Sequence, residues 1–254
     1  MNPEIRTVTV TRYVTPLREG GSMPAITEAD DGFLYALKFR GAGQGTKALI
    51  AELIGGELAR AAGLRMPELV FAELDAAFGR SEPDEEIQDL LKASVGLNLG
   101  VHYLSGSITF DPVVDSVDEL LASQIVWIDA LIMNVDRTVR NTNMLMWQKQ
   151  LWLIDHGASL FFHHNWTNWE EQSKKAFPQI SDHVLKRFAT KLTEADQVMR
   201  KTITPELITR IVTLIPDTWL TPEPGGETPE EKRTIYNQYL LNRLEHVMNS
   251  FTNI

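Results

Sequence analysis

Between residues 133 and 157 the chain reads MNVDRTVRNTNMLMWQKQLWLIDHG, its densest group of chemically able side chains. Asp136, Arg137, Arg140, Asn141 and Asn143 sit between an apolar segment and a pair of short strands, and the second strand runs into Asp155-His156-Gly157. Charged and amide groups set between apolar elements are costly unless they pair or bind something. Loops held by such elements are where functional groups usually sit. An aspartate, an asparagine five residues on and a second aspartate fourteen beyond that supply one base and two hard oxygen ligands. Magnesium takes one or two such ligands and completes its octahedron with phosphate oxygens and water. The set therefore suits phosphoryl transfer, in which Asp136 accepts a hydroxyl proton while Asn141 and Asp155 hold the metal. Gly157 would let the backbone turn sharply behind the second ligand.

An Asp-x4-Asn pair alone carries little, because such an aspartate can equally cap a turn. Upstream residues add to it. Lys38 ends the apolar run YALK, and a helix carrying Glu52 follows. A lysine in an apolar strand is costly if buried alone, but not if it reaches nucleotide phosphates and a glutamate orients it. Gly20-Gly21-Ser22 lie between two strands and could cover phosphates with backbone N–H groups and a hydroxyl. Each residue also has a plainer reading, as a snorkelling lysine, a surface glutamate or a simple turn. Their occurrence together in this order favours a nucleotide site.

These residues need elements to hold them. Residues 5–14, IRTVTVTRYV, alternate with the period of a strand, and 33–39, FLYALKF, form a second one after the Asp30-Asp31-Gly32 break. From Thr46 to Ala62, Leu49, Leu53, Ile54, Leu58 and Ala61 recur at helical spacing, with Gly63 placed to end the helix. Residues 66–74 return to strand character, 81–91 enter a short acidic helix, and 93–104 read as glycine-interrupted strand. Beyond that, helix signals dominate. Ser116 with Glu119 reads as a capping box, Thr204-Pro205 as a helix start, and Thr228-Pro229-Glu230-Glu231 as another capping box. NMLMW and QLWLID flank a hairpin turn at 148–150, and PEPGGE (222–227) is a loop. His163-His164, read as strand, would point to opposite faces and make a poor metal pair. Phe161, Phe162, Trp166 and Trp169 read as packing. The fold expected is α+β, with a β-rich N-lobe over residues 1–108 and a larger, mainly helical C-lobe over 109–254.

The 254 residues carry 24 basic and 34 acidic side chains, a net charge of −10, which argues against direct nucleic-acid binding and against binding an anionic membrane. With no cysteine, disulfides, Cys-ligated zinc, iron–sulfur clusters and thiol nucleophiles are excluded. No signal peptide or bilayer-spanning run is evident, so the expectation is a soluble cytoplasmic protein.

At this point the sequence resembles the HipA-like kinases, most closely the shorter bacterial family lacking an extra N-terminal toxin subdomain. The carrying stretches are REGGSMPAITEADDGFLYALKFRGAGQGTKALIAELIGGELARAAGLRMPE, GLNLGVHYL and VWIDALIMNVDRTVRNTNMLMWQKQLWLIDHGASLFFHHNW, roughly residues 18–166 and three-fifths of the chain. The resemblance implies a two-lobed protein-kinase-like fold that uses ATP and Mg2+. It makes Asp136 the catalytic base, Asn141 and Asp155 the magnesium ligands, and Lys38 the contact to the α/β-phosphates with Glu52 as its partner. Gly20, Gly21 and Ser22 become the phosphate loop, and Arg137 and Arg140 neutralise phosphate or the catalytic carboxylate. Asn134-Val135-Asp136 stands where eukaryotic kinases have His-Arg-Asp, and His156 where they have the Phe of Asp-Phe-Gly. No Ala-Pro-Glu follows Asp155, and the 20–24 loop lacks HipA's lysine.

The activity implied is transfer of the ATP γ-phosphoryl group to a hydroxyl acceptor, with Ser/Thr of a protein ahead of other acceptors. Two alternatives use the same residues: a small-molecule kinase, and a nucleotide-binding pseudokinase that regulates a partner. An antitoxin-like partner is known for the family, and nothing in this chain signals one.

Overall fold

The computed structural model describes residues 4–17, 23–78, 83–220 and 226–252. The expected α+β class is what the chain adopts. Strands β1 (Thr7–Pro16), β2 (Ala25–Ala29) and β3 (Leu34–Lys38) form an antiparallel meander, and helix α1 (Thr46–Ala61) follows. β4 (Leu69–Leu74), α2 (Glu85–Ala93) and β5 (Gly96–His102) complete the first half. The strands close into a barrel in the order β1-β2-β3-β5-β4, sealed by the parallel pair β4–β1. Closure leaves this barrel without an open edge among the described residues.

Period-two alternation sets what each strand presents. Tyr35 and Leu37 of β3 join Val8, Val10, Val70 and Ala72 in one apolar cluster. Ala36 and Lys38 alternate with them and turn to the other face, where Ala36 packs on the cluster containing α1. Helix α1 is buried nearly all round, so its Glu52 lies inside the protein at 0% exposure. Gly63 takes φ 81° just past the helix, the left-handed turn expected there.

After β5, the short β6 (Ile108–Thr109) precedes α3 (Glu119–Ile132), the most apolar helix of the second half. The N-cap of α3 is Asp118, whose carboxylate accepts from the N–H groups of Leu120 and Leu121. The expected Ser116 capping box does not form, because the helix starts at Glu119 and the nearer carboxylate satisfies its first N–H groups. β7 (Met144–Trp147) and β8 (Gln150–Leu153) form the expected hairpin, joined by Gln148 and Lys149 at φ 49° and 61°. This pair of left-handed residues suits a two-residue turn.

The remainder comprises α4 (Trp169–Lys174), α5 (Leu192–Thr202), α6 (Pro205–Thr213) and α7 (Pro229–His246), with short 3-10 turns between them. Thr204 caps α6, and Thr228 with Glu231 forms the expected capping box of α7. Phe161–His164 is a 3-10 turn rather than a strand. His163 is buried against the Tyr236 hydroxyl and Phe162 stacks on Tyr239, while Phe161 stays exposed. On α7, buried Arg243 donates to the carbonyls of Ala130 and Leu131, the last turn of α3, where a cation suits the helix dipole.

The two halves are tied together by the 3-10 turn Asp217–Trp219. Trp219 donates its indole N–H to Leu97 O on β5, stacks edge-on against Phe71 of β4, and accepts at its own carbonyl from the Thr46 hydroxyl at the start of α1. Arg40 donates to Thr218 O. No helix among the described residues is long and apolar enough to cross a membrane.

Candidate active site

Lys38, Glu52 and Asp155 meet although they come from a strand, a helix and a loop 14 and 117 residues from the lysine. The Lys38 ammonium donates to Glu52 Oε2 and Asp155 Oδ1, both at 2.7 Å. Glu52 Oε2 also accepts the His156 backbone N–H at 2.6 Å, so one buried carboxylate fixes both the lysine and the segment bearing Asp155. The approach needs Gly55: a Cβ there would lie 2.7 Å from that of His156, so only a glycine lets α1 sit this close.

Burial works against a charge on Lys38, but Asp155 and Glu52 outweigh it and hold the ammonium above its ordinary range. In turn the Lys38 charge, opposed by burial, pulls Asp155 down to about 2, so it is ionised at neutral pH. Asp155 takes φ 55°, an uncommon left-handed conformation for an aspartate, and its Oδ1 accepts from Gly157 N–H at 3.3 Å.

Asp136 lies on the loop after α3, half-buried. Its Oδ2 accepts from the side-chain amides of Asn141 at 2.7 Å and Asn143 at 3.2 Å, and its backbone N–H is held by Asn134 Oδ1. Thr138 N–H reaches both Asp136 O and Asn141 O at 2.9 Å, closing the loop on itself. Asp136 Oδ1 has no hydrogen bond among the described residues. The arrangement orients a carboxylate and leaves one oxygen to take a proton.

Under this loop lies a buried polar hub. Asp129 of α3 accepts from Arg137 Nε at 2.5 Å and His183 Nε2 at 2.9 Å on one oxygen, and from Asn134 Nδ2 at 3.0 Å on the other. Burial raises its pKa, yet Arg137 and then His183 outweigh it and hold it well below the carboxylate range. Arg137 also donates to Asn143 O, to Ile154 O at 3.2 Å and to His156 Nε2 at 3.1 Å. Burial, then the Arg137 charge, pushes His156 down to about 4. Since a guanidinium can only donate, His156 Nε2 is the acceptor and its proton sits on Nδ1, 4.0 Å from Glu52 Oε1. His183 accepts the Leu185 N–H at Nδ1, which leaves Nε2 to donate to Asp129.

The expected residues thus separate. Lys38, Glu52 and Asp155 form one cluster, and Asp136 with Asn141 another. Arg137 is corrected: at 1% exposure, with its guanidinium committed to Asp129, His156 and two carbonyls, it holds the loop and the Asp155 segment together and cannot reach a phosphate. Arg140 is exposed and lines an open cleft with Thr138 and His183. Gly20, Gly21 and Ser22 lie outside the described residues. Among the described residues, no group of three or more His, Asp or Glu could hold a metal, and Asp155 and Asn141 are two oxygen donors. The sequence reading missed Asp129 and His183. The signal for Asp129 was the one used for Lys38, a lone charge within an apolar run, here LLASQIVWIDALIM. His183 carried none.

A family model described as HipA-like kinase matches residues 10–251. The fold is similar to the crystal structure of a Helicobacter pylori proinflammatory kinase, CtkA, with TM-score 0.61 and 13% identity over 96% of each chain. Weaker likenesses are to the Golgi casein kinase, at TM-score 0.48, 12% identity, and 98% of this chain against 72% of that one. The same kinase with Mn/ADP bound gives 0.47, 12%, 98% and 73%. No curated protein matches. The first likeness speaks for the fold, which is kinase-like.

Proposed function

The chain belongs to the HipA-like kinase family, and we propose that it transfers the γ-phosphoryl group of ATP to a hydroxyl, with Ser or Thr of a protein as acceptor. The observation that carries this reading is the double ion pair of Lys38 with Glu52 and Asp155 at 2.7 Å. A cation and two carboxylates converging from distant parts of the chain are what a phosphate-binding lysine and a metal-binding aspartate require.

In this reading ATP lies between a β-rich lobe, residues 1–108, and a mainly helical lobe, residues 109–254. Gly20, Gly21 and Ser22 cover the phosphates, and Lys38, oriented by Glu52, contacts the α/β-phosphates. Asp155 and Asn141 fit magnesium: Asp155 is ionised, and Asn141, whose nitrogen donates to Asp136, has its oxygen left as a hard donor. Magnesium held there would neutralise charge on the phosphate oxygens. Asp136 takes the acceptor's hydroxyl proton on its unpartnered Oδ1 as the acceptor oxygen bonds to phosphorus and the bond to the ADP oxygen breaks. Asn141 and Asn143 keep the carboxylate aimed, and Arg137, through Asp129 and His156, keeps its loop in register with Asp155. Catalysis is then mainly positioning and charge stabilisation.

Labelled ATP with magnesium and a proteome extract tests this. The wild type should label protein Ser/Thr, and Asp136→Asn should lower turnover by about 10²–10⁴-fold, the usual worth of a general base. Equal rates in the two would overturn the assignment of Asp136. Label appearing only in small metabolites would overturn the protein acceptor, and tight ATP binding without transfer would make the chain a pseudokinase.

A further inference from the structure

An open cleft of about 1060 Å³ adjoins the Asp136 loop. One wall is Thr138, Val139 and Arg140, two to four residues from the proposed base; the other runs from Ser181 to Leu192. The walls are joined backbone to backbone, by the bridge between Thr138 and His183 and by Val184 N–H to Arg137 O at 3.1 Å. The cleft is therefore fixed relative to Asp136.

Its charge runs against that of the molecule. The chain carries −10 overall. The ionisable residues lining this cleft, with His183 held neutral, are Arg140, Lys186 and Arg187 against Asp182 alone, an excess of two positive charges. Arg187 is engaged, donating to Pro112 O with its guanidinium 4.5 Å from the Phe188 ring centroid. Arg140 and Lys186 are exposed, and their side chains make no hydrogen bond or ion pair among the described residues. Val139 lines the same cleft and stands 68% exposed, an apolar point in a cationic lining.

We infer that this cleft binds the acceptor as an extended protein segment rich in Asp and Glu around the hydroxyl residue. The inference rests on the kinase reading and adds the substrate's chemistry to it. On a chain whose net charge is −10, a cationic cleft beside Asp136 gives an acidic segment both affinity and register. The cleft is open to solvent, which suits a chain segment better than a small molecule that needs enclosure.

The test measures binding apart from turnover. Fluorescent peptides with one serine flanked by Asp/Glu, by Asn/Gln or by Lys are titrated into the full chain at low and moderate salt, beside a single-stranded oligonucleotide. The acidic peptide should bind at least about tenfold tighter than the neutral one, with the difference shrinking as salt rises. Lys186→Glu should weaken the acidic peptide about tenfold and leave ATP hydrolysis in the absence of peptide unchanged. Equal affinity for acidic and neutral peptides, tighter binding of the Lys peptide or the oligonucleotide, or no effect of Lys186→Glu would each overturn the cleft assignment. None of these outcomes touches the kinase reading, which falls if Asp136→Asn transfers phosphate at the wild-type rate or if the wild type binds ATP without transferring phosphate.

Discussion

Replacing Lys38 with methionine removes a cation from two carboxylates that differ in their access to water. Asp155 has 43% of its side chain exposed and can rehydrate, whereas Glu52 has 0% and keeps only the His156 N–H as donor. At 2.7 Å and an effective dielectric constant near 20, the Lys38–Glu52 attraction is roughly 6 kcal/mol, much of which offsets the desolvation of the two ions. Breaking one partner of such a pair leaves a net cost of about 3–5 kcal/mol. Lys38→Met should therefore lose about 4 kcal/mol of stability. Glu52→Gln should lose about 2 kcal/mol, since Lys38 keeps Asp155 and the amide oxygen still accepts from His156. The double variant removes both buried charges and should match Glu52→Gln, making it more stable than Lys38→Met alone. Urea unfolding at pH 7, compared at constant slope, reads all three. A double variant whose loss is the sum of the two single losses would refute the pairing.

Further predictions follow from the packing and from the buried histidines. Gly55→Ala sets a methyl carbon 2.7 Å from His156 Cβ, displacing the segment that carries Asp155. Its kcat should fall by about 10²-fold, while the gain in helix propensity offsets part of the stability loss. Wild-type kcat would mean Asp155 is positioned without this contact. His163 and His183 are both held below their ordinary value, chiefly by burial, with Asp129 opposing the shift at His183. The folded chain thus binds fewer protons than the unfolded one, and stability present above about pH 6.5 is lost as pH falls below it. The urea midpoint should drop from pH 7 to pH 5, and His163→Gln should flatten that slope. An unchanged slope would show that His163 titrates alike in both states.

What the sequence disclosed depended on whether a signal was local. β3 and α1 were legible from apolar spacing, and the cost of a lysine in an apolar strand marked Lys38 as needing partners. Glu52 gave no such mark by itself, because a glutamate in a helix is usually solvated; its burial follows from α1 being covered on all sides. Arg137 was misread for a related reason. An arginine next to a proposed base suggests phosphate, and only the fold shows that Asp129, one turn from the end of α3, claims it first. His183 could not be found, since its link to Asp129 spans 54 residues with no local pattern. Asp118 displaced Ser116 as helix cap because both are good caps and the sequence does not rank two candidates two residues apart.

The turn at Asp217–Trp219 bears on how the protein is made. Synthesis runs from the N-terminus, so the barrel strands leave the ribosome with β5 (Gly96–His102) complete. The indole that caps Leu97 O and Phe71 arrives only at Trp219, roughly 120 residues later. At typical elongation rates that is a wait on the order of ten seconds. Through that interval Leu97 O and the Phe71 ring lack the indole that covers them in the folded chain. Slowing elongation between residues 102 and 219 would lengthen the time that this end of the barrel waits for its cover.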